Sequence, residues 1–244
     1  MKARTLAALA LIAMPVVVTA GDLLRLGVES ATTGDGSTLT SVVSQLEAVD
    51  AHRTSWAVVS WSFYVGALLT IPMTLLLWRL AVGRAPTWAW AGAVLGTCSV
   101  IGQVAHLMGY FGSLGALSSL ADREAAADAH LALGQDVFSL AVFAPYLVGL
   151  LLAPAVQAVA LRRARVVPLW AVLSVGVGAA VFVVFAGQWW ASVVWGVGLV
   201  VGFLPAARAA LVDHVEHAAL VEQPAGGVVE GSPVYSGRPA SPVS

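Results

Sequence analysis

Charge is absent from long stretches of this chain, and that absence constrains the fold more than any motif does. No Asp, Glu, Lys or Arg occurs from Thr54 to Trp78, from Ala85 to Ala121, from Val137 to Leu161, or from Val166 to Ala207. Crossing a hydrocarbon layer takes about 20 apolar residues, so each of the first three runs suffices for one crossing and the last is about twice that length. Near its middle stand Gly187, Gln188, Trp189 and Trp190, which predict a tight turn between two helices. Composition agrees: 59% of residues are hydrophobic and 10% charged, far from the roughly 45–50% and 25% of soluble domains.

Inside hydrocarbon the backbone must satisfy its own polar groups, and these runs lack the polar–apolar alternation of a barrel. The expected fold is therefore all-α, a polytopic transmembrane helix bundle of about six spans. They are placed at residues 5–21, 54–78, 86–110, 137–161, 166–187 and 189–207, within a bundle over 1–221. The first is ambiguous. Lys2 and Arg4, a short apolar stretch and Val18-Thr19-Ala20 before Gly21 also fit a cleavable signal peptide, which would leave the N-terminus external. Residues 222–244, rich in Pro, Gly and Ser, read as a disordered tail with Ser232-Pro233 and Ser241-Pro242 as candidate modification sites.

Basic residues concentrate on the cytoplasmic side of short loops. Lys2 and Arg4, Arg79 and Arg84, Arg162, Arg163 and Arg165, and Arg208 mark every second connection, whereas the connections from Asp22 to Arg53 and from Asp122 to Asp136 hold nine acidic residues and three arginines. The reading is a multi-pass plasma-membrane protein with both termini cytoplasmic. Tryptophans fit it, with Trp78, Trp88, Trp90 and Trp170 at the inner boundary and Trp56, Trp189 and Trp190 at the outer one. In the first long connection Leu39, Val42, Val43, Leu46 and Val49 recur at helical spacing. In the second, Asp122 is placed to cap an Ala-rich helix.

Laying spans two and three over spans four and five aligns Tyr64 with Tyr146, Pro72 with Pro154, Pro86 with Pro168, Trp88 with Trp170 and Gly96 with Gly178. An even number of crossings separates the copies, so the expected internal repeat is parallel. Pro72, Pro154 and Pro205 each remove a backbone hydrogen bond and are candidate helix kinks, which in transporters can frame a substrate site. Gly92 with Gly96, and Gly198 with Gly202, have the small-xxx-small spacing of close helix contacts.

Candidate chemistry gathers at the external helix ends. Gln103 and His106 share a face of the third span, and Gln188 stands at the position matching His106 in the repeat register. Asp50-Ala51-His52 precedes the second span and Asp128-Ala129-His130 the fourth, which Asp136 begins. These groups form a candidate ligand site. If they converge, His52, His106 and His130 with Asp50, Asp128 or Asp136 suit a divalent metal, a histidine pair suits haem, and the same groups suit a proton-sensitive cluster. His214 and His217 invite the same question. Cys98 alone permits no intramolecular disulfide. Phosphate loops, metalloprotease helices and nucleophile elbows are missing, and the span cores carry no ionisable Asp, Glu, Lys or Arg of the kind proton-coupled pumps use.

The order of helix, long loop, hairpin, long loop, hairpin and helix resembles a family of uncharacterised six-helix bacterial membrane proteins. The resemblance rests on Gly149-Leu150-Leu151-Leu152-Ala153-Pro154, then Arg162 and Arg163, then Val167-Pro168-Leu169-Trp170. It implies architecture and no activity. The expected function is non-enzymatic binding of a small ligand or protein partner, with small-solute transport and a haem or metal redox role as alternatives. The lipid bilayer, a homo-oligomer or a membrane complex are the expected partners, no nucleic acid is expected, and no resident cofactor is required.

Overall fold

The computed structural model of the protein describes residues 2–30 and 41–221, with side-chain surroundings given over 4–30 and 41–212. All elements among them are helical: α1 Lys2–Ser30, α2 Val42–Ala51, α3 Arg53–Ala81, α4 Pro86–His106, a π-helical turn Leu107–Gly112, α5 Ser113–Leu117, α6 Arg123–Gln135, α7 Val137–Arg163, α8 Leu169–Val184 and α9 Trp189–Val221. Five helical stretches are long and apolar enough to cross a membrane, Arg4–Ser30, Arg53–Ala81, Pro86–Leu117 (α4 continued through the π-helical turn and α5), Val137–Arg163 and Trp189–Val212. The sixth expected span is α8, apolar throughout but only 16 residues long, or about 24 Å at 1.5 Å per residue. The sharp turn before α9 falls where the sequence places it, with Gly187 at φ 88°, a left-handed conformation that glycine adopts at no steric cost. The tail over 222–244, Leu39, and the side chains of His214 and His217 lie outside the described residues.

Large apolar side chains face outward along the bundle, Leu75, Val94, Leu173 and Val177 among them, each more than half exposed. Their proper solvent is hydrocarbon. Inside, α1 packs against α3 and α9, α4 against α7, and α8 against α9. The α4–α7 seam is built on missing side chains. A Cβ on Gly149 would stand 2.5 Å from the Ser99 nitrogen, and one on Gly102 2.4 Å from the Tyr146 backbone. Only glycine allows the two helices so near.

At one end the bundle is capped by α2, α5 and α6, which pack on one another. Leu46 and Val49 of the amphipathic stripe are buried there, and Asp122 accepts from the Ala125 N–H (3.0 Å) to cap α6 as expected. Trp56 departs from its expected place in the headgroup belt. It is buried in this cap, its ring tilted against Phe111 (5.4 Å), and donates from Nε1 to the Phe111 carbonyl (3.1 Å). The opposite end is basic: Arg84 donates to the Ala164 carbonyl (3.2 Å), Arg163 lies over the Trp88 ring (4.9 Å), and Arg4 and Arg79 line one cleft of about 200 Å³.

Pro72, Pro154 and Pro205 sit inside helices that continue past them, as do Pro15 and Pro145, which the sequence reading did not single out. The residues aligned by the repeat register have unlike surroundings. Tyr64 is exposed while Tyr146 is buried, and α4 packs along α7 while α8 packs along α9.

The largest correction concerns the first helix. The first span was expected to end near residue 21, with Asp22 opening a loop, but α1 continues to Ser30. Asp22, Arg25 and Glu29 are spaced i, i+3 and i+7, so they fall on one helical face and pair along it. Charge ended the expected span, yet here the charges satisfy one another and extend it. Glu29 is buried, so an ionisable side chain lies inside the protein beyond the expected end of the first span, while the span cores keep their lack of Asp, Glu, Lys and Arg.

Candidate functional site

Asp22 lies 18 residues beyond Arg4, about 27 Å along α1, which puts it near one boundary of a layer roughly 30 Å thick. There Arg25 Nε donates to Asp22 (2.9 Å) and Arg25 Nη1 to Glu29 (2.7 Å). Other helices complete the network: the Tyr110 hydroxyl donates to Glu29 (2.9 Å) and the Ser192 hydroxyl to Asp22 (2.5 Å). Buried ionised groups persist only when paired and hydrogen-bonded, and three helices supply the partners here.

Beside this network is a cavity of about 280 Å³. α1 contributes Thr19, Asp22 and Arg25, α4 His106, the π-helical turn Tyr110, α7 Phe143 and Tyr146, α8 Phe182, and α9 Ser192 and Trp195. Aromatic rings make up about half of the lining, joined by a few polar groups from α1, α4 and α9, the composition typical of small-molecule sites. His106 is stacked between Tyr110 (5.2 Å) and Tyr146 (5.0 Å), its edge toward Phe111 (5.4 Å). A second cavity, about 520 Å³ and largely apolar, lies between the π-helical turn and the start of α7. His106, Tyr110 and Phe143 line both cavities and so form their common wall. Single π-helical turns within α-helices are frequent at functional sites because the extra residue re-aims the side chains around it.

A narrow polar seam leads from the first cavity toward the basic end. Thr70, Thr74, Ser99, Gln103 and Gln157 line a space of about 30 Å³. The Gln103 side chain donates to the Phe63 carbonyl (3.3 Å), and Gln157 donates to Thr74 (3.4 Å) and to the Gly92 carbonyl (3.2 Å). Gln157 Oε1 has no protein partner, and the space that it lines is large enough for a water.

The residues singled out from sequence are only partly brought together. His106 lines the main cavity and Gln103 the seam beneath it. His130 lines the second cavity and shares a hydrogen bond with Ser113 (2.8 Å), and its burial pushes its pKa below the usual histidine value. Asp50 lies in the cap, bonded to Arg53 (2.5 Å) and Arg123 (2.6 Å). Hydrogen bonds from Arg53 and then Arg123 hold its carboxyl below the ordinary range. Arg123 also donates to the Ser118 carbonyl. His52 is exposed at the α2–α3 junction, Gln188 is exposed in the turn before α9, and Asp136 caps α7 by accepting from the Ser139 N–H (3.1 Å). Among the described residues no group of three or more His, Cys, Asp or Glu side chains is placed to hold a metal ion, so His52, His106 and His130 do not form the expected cluster. Sequence reasoning missed Asp22, Arg25, Glu29, Tyr110, Phe143, Phe182, Ser192 and Trp195. The i, i+3, i+7 spacing in α1 was the available signal for the first three.

No family model, curated protein or solved structure matches the chain.

Proposed function

We propose that this is a non-enzymatic, multi-pass plasma-membrane protein that binds a small ligand in the cavity at its capped end. The observation carrying the reading is the 280 Å³ space itself, lined by aromatic rings together with the paired Asp22 and Arg25 side chains. Convergent polar groups in an apolar concavity are the usual form of a small-molecule site. In this reading the capped end faces outward and the basic end the cytoplasm, following the distribution of arginine. The site then lies between helix ends rather than on loops. The Pro, Trp and Tyr matches support a duplicated hairpin whose copies have taken different neighbours, and the six-helix order supports kinship with the bacterial family that it resembles.

The test is a screen of small amphipathic solutes against the purified protein in mild detergent, read by thermal stabilisation and tryptophan fluorescence. Ligand-induced stabilisation that disappears in Ser192→Phe, which fills the cavity, supports the reading. Stabilisation unaffected by Ser192→Phe contradicts it.

One observation favours transport as a second reading: the polar seam through Gln103, Thr70 and Thr74 to Gln157 continues the cavity toward the basic end. Uptake into proteoliposomes lost in Pro72→Ala or Pro154→Ala would support this reading, while absence of uptake for a solute shown to bind would oppose it.

A further inference from the structure

We propose that the cleft at the basic end of the bundle holds the headgroup phosphate of an anionic phospholipid. The inference is independent of the aromatic cavity, which lies at the other end. The cleft, about 200 Å³, opens where three helices meet: α1 supplies Arg4, α3 supplies Leu76, Arg79 and Leu80, and α9 supplies Ala210. α1 packs against both α3 and α9, and helices in such contact stand about 8–10 Å apart, a gap that two arginine side chains close around one phosphate. Two guanidiniums sharing a cleft repel each other, and an anion between them turns repulsion into attraction. Arginine suits phosphate because its planar fork of donors matches the spacing of the oxygens.

Other arginines at this end are already engaged, Arg84 with the Ala164 carbonyl and Arg163 with the Trp88 ring. Arg4 and Arg79 have no ion-pair or hydrogen-bond partner among the described residues. The connections over 82–85 and 164–168 carry no Asp or Glu, and the first turn of α1 is free of acidic residues, so its unpaired N–H groups add to the positive potential. Asp213 and Glu216 come later on α9, with side chains outside the described residues; a carboxylate occupying the cleft would show in the test below as lipid binding indifferent to charge. A lipid is favoured over a soluble phosphate by what lies beneath Arg79. Arg4 and Asp22 are about 27 Å apart along α1, which places the cleft at the second boundary of a layer roughly 30 Å thick. Leu68, Ile71 and Leu75 lead up to Arg79 in steps of three or four residues, hence along one helical face, and all three are exposed. This apolar stripe runs from the cleft into hydrocarbon, a track for an acyl chain below the phosphate. Basic pockets between helices at a membrane face recognise headgroups in this way.

The test titrates the delipidated full-length protein, in mild detergent at one ionic strength, with phosphatidylglycerol, with phosphatidylcholine, whose choline cation cancels the phosphate charge, and with inorganic phosphate. Native mass spectrometry counts bound lipid, and thermal unfolding followed by tryptophan fluorescence reports stabilisation by all three. Phosphatidylglycerol is expected to bind about tenfold tighter than phosphatidylcholine. Arg4→Gln and Arg79→Gln are each expected to cut that preference to about threefold. Arg208→Gln removes the same charge from an exposed position outside the cleft and is expected to preserve it. Equal binding of the two lipids, or a preference reduced as much by Arg208→Gln as by Arg79→Gln, overturns the proposal. Stabilisation by inorganic phosphate as large as that by phosphatidylglycerol, and lost in Arg79→Gln, assigns the cleft to a soluble anion and overturns the lipid.

Discussion

Replacing Arg25 with Met removes a guanidinium while keeping much of its length and apolar contact, and it isolates what the charge network in α1 does. Two carboxylates lose their guanidinium at once, keeping the hydroxyl donors Ser192 and Tyr110: Asp22 and Glu29 side chains are 13% and 8% exposed, and Arg25 itself 21%. Breaking a fully buried ion pair from one side costs about 3–5 kcal/mol, because the remaining charge stays desolvated. The one-fifth exposure of Arg25 admits some water, so the expected loss is smaller, about 2–4 kcal/mol. Adding Glu29→Gln removes one of the two carboxylate charges that faced Arg25 and is expected to return about 1–2 kcal/mol, a coupling a double-mutant cycle measures directly. The assay is reversible unfolding in mixed micelles of mild detergent and dodecyl sulfate, followed by tryptophan fluorescence. A loss under about 0.5 kcal/mol with no coupling is the behaviour of an exposed pair, and would refute the interior placement of the network.

Other perturbations give separate outcomes. Gly149→Ala puts a methyl 2.5 Å from the Ser99 nitrogen, so α4 and α7 must part by nearly an ångström to reach ordinary contact; a loss of about 1–3 kcal/mol is expected, against little change for Gly109→Ala, which meets open space. Trp56→Phe removes the indole donor to the Phe111 carbonyl and is expected to cost about 1–2 kcal/mol in the same unfolding assay. The pKa of His130 is lower in the folded chain than unfolded, so its contribution to the docking of α6 is complete above about pH 6.5 and lost as pH falls below it. Protection of the α6 amides, taken as the ratio of intrinsic to observed exchange rate at each pH, should fall from pH 7.5 to pH 5, and His130→Asn should remove that change. The folded pKa of Asp50 is also depressed, but as a carboxylate its contribution is complete above about pH 4 and lost only below that, so an Asp50→Asn variant should keep the response between pH 7.5 and 5.

The bundle was legible because charge-free length is a physical requirement of crossing hydrocarbon, and α3, α4, α7 and the turn at Gly187 follow from it. The end of α1 was not, because Asp22, Arg25 and Glu29 look like loop residues when counted one by one and like an ion-paired helix face only when their spacing is considered. His106 and Gln103 stood out as polar groups in apolar runs, and both line internal spaces. Phe143, Phe182 and Trp195 had no such contrast, since an aromatic residue in an apolar span has the same sequence signature whether it faces lipid or a cavity. The π-helical turn left no residue-type signature at all. Asp50, His52 and His130 suggested one cluster because each precedes or nears a span, but α2 and α6 are separate cap helices, and cap packing distributes the three among an ion-pair network, an open surface and the second cavity.

The most direct test of the account is to locate a bound ligand. Crystals of the protein soaked with a bromine-labelled solute from the ligand screen report the bromine position by anomalous scattering. The account predicts a peak in the cavity between Phe143, Phe182 and Trp195. A peak confined to the second cavity, near His130, would contradict it.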